Sequence, residues 1–331
     1  MNILVTGGAG FIGSAFVRRA IHEGHNVANI DKLTYAGDLN NLNGCSGFPN
    51  YRFFHEDICS RSAILSIMEN TRPEVIVHMA AETHVDRSIA CIDQFLQTNV
   101  LGTQALLDST LEYQQTHKSP LFMHISTDEV FGSIPKAGRF NEDSLYRPNS
   151  PYAASKASSD FFVKAYQNTY GLRTVTVNSS NNYGPRQFPE KLIPLTISKA
   201  LNKQPIPVYG DGMQVRDWLY VEDHVDALVA LIKSGKEGES YCIGANCERE
   251  NLNVVKHICC LLSCMCDDGF SYENLIKHVK DRPGHDVRYA TDASKLHAHT
   301  GWAPKIFFDE GLKKTVGWYM ERFNTNQRLS H

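Results

Sequence analysis

The chain has 331 residues, 42% hydrophobic and 21% charged, with a formal net charge of -3 at pH 7. That is ordinary globular material, long enough for two domains or one enlarged α/β domain. The small negative charge offers no basic field to nucleic acid or an anionic membrane, and no run of about 18 apolar residues is present to span a bilayer.

Taken in order, the N-terminus enters a short apolar strand, Ile3–Val5, with no basic leader, so a cytoplasmic protein is expected. Thr6-Gly7-Gly8-Ala9-Gly10-Phe11-Ile12-Gly13 follows, then a helical run Ser14–Glu23 and a second strand, Val27–Ile30, ending in Asp31. The glycines fit G-x-x-G-x-x-G at 7, 10 and 13 and G-x-G-x-x-G at 8, 10 and 13, in the strand-before, helix-after context of a dinucleotide-binding turn. Glycine lets the backbone turn tightly and approach a pyrophosphate seated on the helix N-terminus. Asp31 is placed to accept from a ribose 2′-hydroxyl and would repel a 2′-phosphate, which favours NAD over NADP.

The alternation continues. A strand Tyr51–His55 carries Asp57 and Ile58 at its end as expected contacts to an adenine, and Ser60 is expected to cap a helix to Asn70. A buried strand Val75–Met79 ends in Ala80-Ala81-Glu82-Thr83-His84, whose small residues let a cofactor pass close to the backbone. Phe95–Glu112 reads as one long helix with Thr98 and Asn99 near its start. The strand Leu121–Ile125 comes next, then a helix through Tyr152 and Lys156 to Tyr170, then the strand Thr174–Val177. This rhythm predicts a parallel, doubly wound sheet.

The strand at 121–125 runs into Ser126-Thr127-Asp128-Glu129. Such polar residues are costly in a core, but the carboxyl ends of strands in an open α/β sheet face a ligand crevice. Two neighbouring carboxylates whose environments push their pKa values apart provide an acid and a base at one pH. Adjacent strand residues point to opposite faces, so Asp128 and Glu129 can share a substrate only if the strand has ended and the backbone turns there. Tyr152 and Lys156 stand one helical turn apart.

From Asn178 the rhythm changes. Asn178–Pro194 is polar, turn-rich and too long for a simple connection. Ile206–Trp218 and Asp281–Tyr289 are further loop-like runs, and Asp223 is expected to cap a helix to Ser234. Lys191, Arg216, Arg282 and Arg288 suggest a basic lining suited to a diphosphate. Cys259, Cys260, Cys264 and Cys266 lack the paired C-x2-C spacing of a zinc site, so no metal and no disulfide framework are expected. Phe308–Phe323 reads as a closing amphipathic helix.

With the motifs Ser126–Val130, Ser179–Pro185, Phe188–Pro194, Arg216–Leu219 and Asp281–Asp286, the chain resembles the extended short-chain dehydrogenase/reductase family of nucleotide-sugar enzymes, from residue 1 to about 320. It is most similar there to the 4,6-dehydratases, because the related 4-epimerases carry no adjacent carboxylates at positions 128 and 129. The resemblance implies a Rossmann doubly wound parallel sheet with a smaller C-terminal substrate-binding α/β region. Residues 1–178 would bind NAD and residues 179–325 mainly the nucleotide sugar, with the chain free to cross back. It implies dTDP-glucose as substrate, with UDP-glucose as the near alternative and 4-epimerisation as the more distant one.

Residue by residue, the resemblance makes Tyr152 the base at the C4 hydroxyl, with Lys156 lowering its pKa and holding a ribose. Thr127 would bond the C4 oxygen, Asp128 would protonate the leaving C6 hydroxyl, and Glu129 would remove the C5 proton. The NAD contacts would be Gly7, Gly10, Phe11, Ile12, Gly13, Asp31, Lys32, Thr34, Asp57, Ile58, Ala80, Ala81, Glu82, Thr98, Tyr152 and Lys156. The substrate contacts would be His84, Ser88, Thr127, Asn181, Glu190, Lys191, Leu192, Pro207, Tyr209, Arg216, Asn251, Arg282 and His285. Phe131, where Tyr is usual, and Arg186 depart from the family pattern, and Arg186 is expected to add a charge near the sugar or nucleotide. A homodimer through the helices at 95–112 and 152–170 is also implied, with neither nucleic acid nor membrane as partner.

Overall fold

The computed structural model of the protein describes residues 1–134 and 137–329. Its first half alternates strand and helix: β1 (Asn2–Thr6), α1 (Phe11–His22), β2 (Asn26–Ile30), β3 (Tyr51–Phe54), α2 (Arg61–Thr71), β4 (Val75–His78), α3 (Val85–Ala90), α4 (Asp93–Phe95), α5 (Thr103–Tyr113), β5 (Leu121–Thr127), α6 (Pro151–Tyr170) and β6 (Thr174–Ser179). The second half adds β7 (Asn181–Tyr183), α7 (Leu192–Leu201), β8 (Ile206–Tyr209), β9 (Val215–Tyr220), α8 (Val221–Ser234), β10 (Ser240–Ile243), β11 (Glu248–Glu250), α9 (Asn251–Cys266), β12 (Ile276–Val279), α10 (Ser294–Thr300) and α11 (Phe308–Leu329).

Seven strands form one sheet in the order β10-β6-β5-β4-β1-β2-β3, and every pairing in it is parallel. The order reverses between β1 and β4, the switch point where ligands bind in such sheets. Side-chain alternation explains why both faces are covered. Ile3, Val5, Val75, Val77, Met123 and Ile125 pack with Phe16, Leu228 and Leu296 on one face. Leu4, Ile76 and Phe122 pack with Met68, Leu106 and Val163 on the other. A smaller core, around Ile193, Val208, Trp218, Val255, Leu262 and Leu312, joins β8 and β9 to α7, α9 and α11.

Two local expectations are corrected. The single regular helix expected over Phe95–Glu112 is interrupted, because Leu96–Gly102 is a π-helical turn between α4 and α5. Wide turns of this kind occur often at functional sites. Asp223 does not cap α8, whose N-cap is Tyr220. Its carboxylate instead accepts from the backbone N–H groups of Lys305 (3.1 Å) and Ile306 (2.9 Å), and its carbonyl takes the Trp302 indole N–H at 3.0 Å. Ser60 is the N-cap of α2 by position, without a side-chain capping bond. The nine cysteines are free thiols, and Cys259 lies buried in the smaller core. No helix among the described residues is long and apolar enough to cross a membrane.

The Asp223 clamp sets a stability expectation. Asp223→Ala strands two N–H groups and should cost about 1–3 kcal/mol in urea unfolding. Asp226→Ala, which loses ion pairs to the exposed side chains of Arg19 and Lys305 at 2.8 Å each, should cost less than about 1 kcal/mol. Equal losses in the two variants would show that the clamp is not the stronger contact.

Candidate active site

β5 ends at Thr127, and residues 128–131 turn at once into a 3-10 helix closed by Gly132 at φ +75. A Cβ on Gly132 would lie 2.2 Å from the Arg147 carbonyl oxygen, so the turn requires glycine. Thr127 caps this turn, accepting from the Glu129 N–H at 3.3 Å. Asp128 and Glu129 therefore sit on a helical turn, where neighbours diverge by far less than on a strand. Asp128 is 1% exposed, between the Thr127 hydroxyl (3.5 Å) and the Thr291 hydroxyl (3.5 Å).

Burial pushes both carboxyl groups above the ordinary range, but unequally. Asp128 is raised well above it by desolvation and then by Glu129 and Asp217. Glu129 is also raised by desolvation, but Lys191, Arg282 and Arg216 pull it back. Asp128 is thus pushed further toward its neutral form than Glu129, and unequal neighbours of this kind are what an elimination needs.

α6 starts at Pro151, capped by Ser150, and carries Tyr152 and Lys156 on its buried face. Burial, followed by Glu129, holds the Tyr152 hydroxyl well above its usual value, and a hydrogen bond with Thr127 acts the other way. Burial draws Lys156 down to about 8. Its ammonium donates to the Ile125 carbonyl at 2.8 Å. Before any ligand binds, Tyr152 is thus held protonated by its surroundings.

One cleft gathers Gly7, Gly10, Phe11, Ile12, Gly13, Asp31, Lys32, Thr34, Ile58, Ala80, Ala81, Glu82 and Thr98 with Thr127, Tyr152 and Lys156. Asp57 stands beside it, paired with Lys32 at 3.3 Å, and Lys32 also reaches Thr98 at 3.0 Å. The lining fits a dinucleotide on observations of its own. Gly7 adopts φ +75, and a Cβ there would lie 2.7 Å from the Ala80 backbone. One on Gly13 would lie 2.1 Å from the Gly7 carbonyl oxygen. The start of α1 has no side-chain cap, so its first N–H groups are available to an anion. Asp31 accepts from the N–H groups of Ala9 (2.9 Å) and Leu33 (2.8 Å), which fixes its carboxylate at the cleft wall.

Of the expected substrate contacts, Thr127, Asn181, Glu190 and Lys191 line the same cleft. His84 lies 3.6 Å from Glu190, and Lys191 donates to the Thr83 carbonyl at 2.7 Å. Arg216 is buried over the Tyr289 ring at 4.3 Å and donates to the Asp286 carbonyl at 3.0 Å. Tyr209 donates to Asp86 (2.9 Å), which Arg282 approaches at 3.6 Å, and His285 meets Asp281 at 2.7 Å. Asn251 begins α9 with its buried amide oxygen unpartnered. Pro207 lies in β8. Ser88 is committed to the Val85 carbonyl and the Tyr152 N–H, and Leu192 packs into the smaller core.

Arg186 and Arg288 depart from expectation. Arg186 does not line the cleft; it lines a neighbouring cavity with Phe188, Trp318 and Arg322, its guanidinium 5.8 Å from the Trp318 ring. Arg288 turns to Glu248 and the Gly138 carbonyl. Phe131 stacks on Phe140 at 5.1 Å inside a buried cluster. Sequence reasoning missed Tyr35, which donates to Glu190 at 3.1 Å under the Arg87 guanidinium, and Ser180, Asn182, Gln187 and Phe188 along the cleft. The polar run after Asn178 was the available signal for the last four.

Residues 4–315 match the family described as GDP-mannose 4,6 dehydratase. The dTDP-glucose 4,6-dehydratase of Neisseria meningitidis serogroup B is 51% identical over 331 residues, covering 97% of this chain and 93% of that protein. The crystal structure of the dTDP-glucose 4,6-dehydratase from Streptomyces venezuelae with NAD and TYD bound superposes with a TM-score of 0.90 at 42% identity, covering 98% of each chain. The UDP-glucose 4-epimerase of Thermus thermophilus in complex with NAD gives 0.85 at 30% identity, covering 97% of this chain and 99% of that one.

The glycine geometry makes a direct expectation. Gly7→Ala must leave φ +75 or displace Ala80, so the variant should lose bound dinucleotide in calorimetry and lose about 1–2 kcal/mol or more of stability. Unchanged affinity would mean that the approach of β1 to β4 does not shape the cleft.

Proposed function

The chain belongs to the GDP-mannose 4,6-dehydratase family, and on that premise we propose that it is an NAD-dependent hydro-lyase converting dTDP-glucose to dTDP-4-keto-6-deoxyglucose and water. The observation that carries this reading is the Asp128-Glu129 turn, which directly follows the cleft residue Thr127 and whose two carboxyl groups act on the Tyr152 hydroxyl in the cleft wall. The near-full-length identity to dTDP-glucose 4,6-dehydratases supports the thymidine nucleotide over uridine.

A hexose C5 proton is too weakly acidic for a carboxylate until C4 is a ketone. NAD, when bound, would supply the chemistry of a reversible hydride acceptor, for a hydride leaving C4 and later returning to C6. Tyr152 would first lose its own proton, favoured by the charge of the bound nicotinamide and of Lys156, and as phenolate would accept the C4 hydroxyl proton while Thr127 orients that oxygen. Glu129, relieved by Lys191, Arg216 and Arg282, removes the C5 proton. Asp128, held protonated by burial and by its neighbour, gives its proton to the C6 hydroxyl as it leaves as water. The cations that steady Glu129 also suit the substrate's diphosphate. In this division of labour residues 1–178 serve mainly the cofactor and 179–325 mainly the nucleotide sugar.

The reading extends to assembly. Leu96 (46% exposed), Leu101 (49%), Phe161 (62%) and Tyr170 (52%) present apolar surface on the π-turn and α6. A second copy of the chain pairing through these helices would cover it. Since the proposed substrate is a nucleoside-diphosphate sugar, an intracellular metabolite, we infer that the chain works in the cytoplasm.

Mass spectrometry on dTDP-glucose and UDP-glucose tests the reaction. Deuterium at C4 should reappear at C6, with solvent hydrogen at C5; loss of the label to the medium would remove the dehydratase assignment. Asp128→Asn and Glu129→Gln should accumulate a 4-keto sugar that still carries its C6 oxygen. Wild-type rates of water loss in both variants would make the pair structural. For the assembly, Leu101→Glu with Phe161→Glu should halve the mass seen by light scattering, and an unchanged mass would place the contact elsewhere.

A further inference from the structure

Asp160 is a buried carboxylate that the proposed chemistry does not use. It lies one turn beyond Lys156 on α6, and both residues are 4% exposed. Its Oδ1 faces His124 Nε2 at 3.0 Å. Its Oδ2 accepts from the hydroxyls of Ser126 (2.8 Å) and Tyr146 (2.8 Å) and from the Asn178 amide at 3.2 Å. Four donors from β5, β6 and the loop before α6 thus converge on one acceptor.

Every group that meets this carboxylate can donate to it, which is how a buried carboxylate is accommodated. Burial lowers the His124 pKa, and its Nδ1 has no partner, which describes a neutral ring donating through Nε2. Among the described residues, His124 is the group at ion-pair distance from Asp160, so no formal cation touches the carboxylate. Two of its bonds also fix β5 at His124 and Ser126, on either side of Ile125, whose carbonyl receives the Lys156 ammonium.

We propose that Asp160 is a positioning residue for the proton-transfer pair: a fixed buried charge, one turn from Lys156, that keeps the ammonium cationic while its bonds hold β5 beneath it. The inference rests on the reading of Tyr152 and Lys156 given above. Other titratable and charged groups face the pair from every side. These are His78 on β4, His124 on β5, Asp128 and Glu129 on the turn after it, and Tyr146 before α6. The histidines are depressed by burial and hence neutral near pH 7. The turn carboxylates bear on Tyr152, leaving Asp160 as the charge that favours Lys156 ammonium.

The signs are specific. Removing the charge lowers the pKa of Lys156 and also that of Tyr152, which Asp160 raises. In Asp160→Asn both limbs of the pH–kcat profile should therefore move to lower pH, by on the order of one unit. Tyr146→Phe, which removes a donor but keeps the charge, should leave them in place. The decisive readout needs no turnover. In the full-length protein labelled with 13C-lysine, the resonance absent from Lys156→Met should titrate at lower pH in Asp160→Asn than in wild type. If Asp160→Asn does not fold, Asp160→Asn combined with His124→Gln carries the same loss of charge with amides that satisfy one another. A Lys156 titration unchanged by loss of the charge overturns the proposal, and so does an equal shift in Tyr146→Phe. Because that titration is independent of substrate, a failed dehydratase assignment would not be mistaken for either result.

Discussion

Desolvation at the carboxyl end of β5 is the constraint to which the rest of the structure answers. Asp128 and Glu129 follow a strand that is buried along its whole length, so two consecutive carboxyl groups are drawn away from water, Asp128 fully and Glu129 in part. An uncompensated buried charge costs several kcal/mol, and a carboxyl in that position either protonates or acquires partners. Here the two neighbours take different routes. Asp128 is surrounded by hydroxyls and other acids, whereas Glu129 is met by Lys191, Arg216 and Arg282, brought from three separate segments of the second half. One environment favours the neutral carboxyl more strongly than the other, the division on which the proposed acid and base roles rest.

Two of those cations, Lys191 and Arg216, are restrained by backbone rather than by a simple ion pair, whereas Arg282 approaches Asp86 at 3.6 Å. Lys191 is tied to the Thr83 carbonyl and Arg216 to the carbonyls of Val215 and Asp286. Burial lowers the pKa of both, while Glu129 raises it. Such groups keep donor capacity for an incoming diphosphate, because no carboxylate has already saturated their forks. Arg288 shows the contrast, since its pairing with Glu248 takes it out of this set.

On the opposite side of the cleft the same problem is solved with backbone alone. β1 and β4 approach so closely at Gly7 and Ala80 that a single methyl group does not fit, and the uncapped start of α1 completes an anion-binding concavity without any formal charge. Between the two sides lie Tyr152 and Lys156, held on a helix whose buried face meets β5 through Asp160. Rigid elements rather than loops thus carry the groups that must stay aligned.

How much of this was legible depends on how far apart in the chain the interacting residues lie. The glycine turn, the Asp31 position and the Tyr152–Lys156 spacing are local patterns, and the strand–helix rhythm that places them is set by side-chain periodicity. For the same reason the sequence by itself determined the parallel sheet, the dinucleotide cleft and the presence of two adjacent carboxylates at a strand end. It did not reveal that Asp223 bonds to Lys305 and Ile306, nor that Arg186 turns toward Trp318 while Arg282 turns toward Asp86. Each of those outcomes depends on which distant segment is packed opposite, a question that neither propensity nor spacing encodes. The unequal pull on the Asp128 and Glu129 carboxyl groups belongs to that second class as well. The two residues are chemically alike and adjacent in sequence, and only the folded neighbourhood, with acids dominating around one and cations around the other, makes them different.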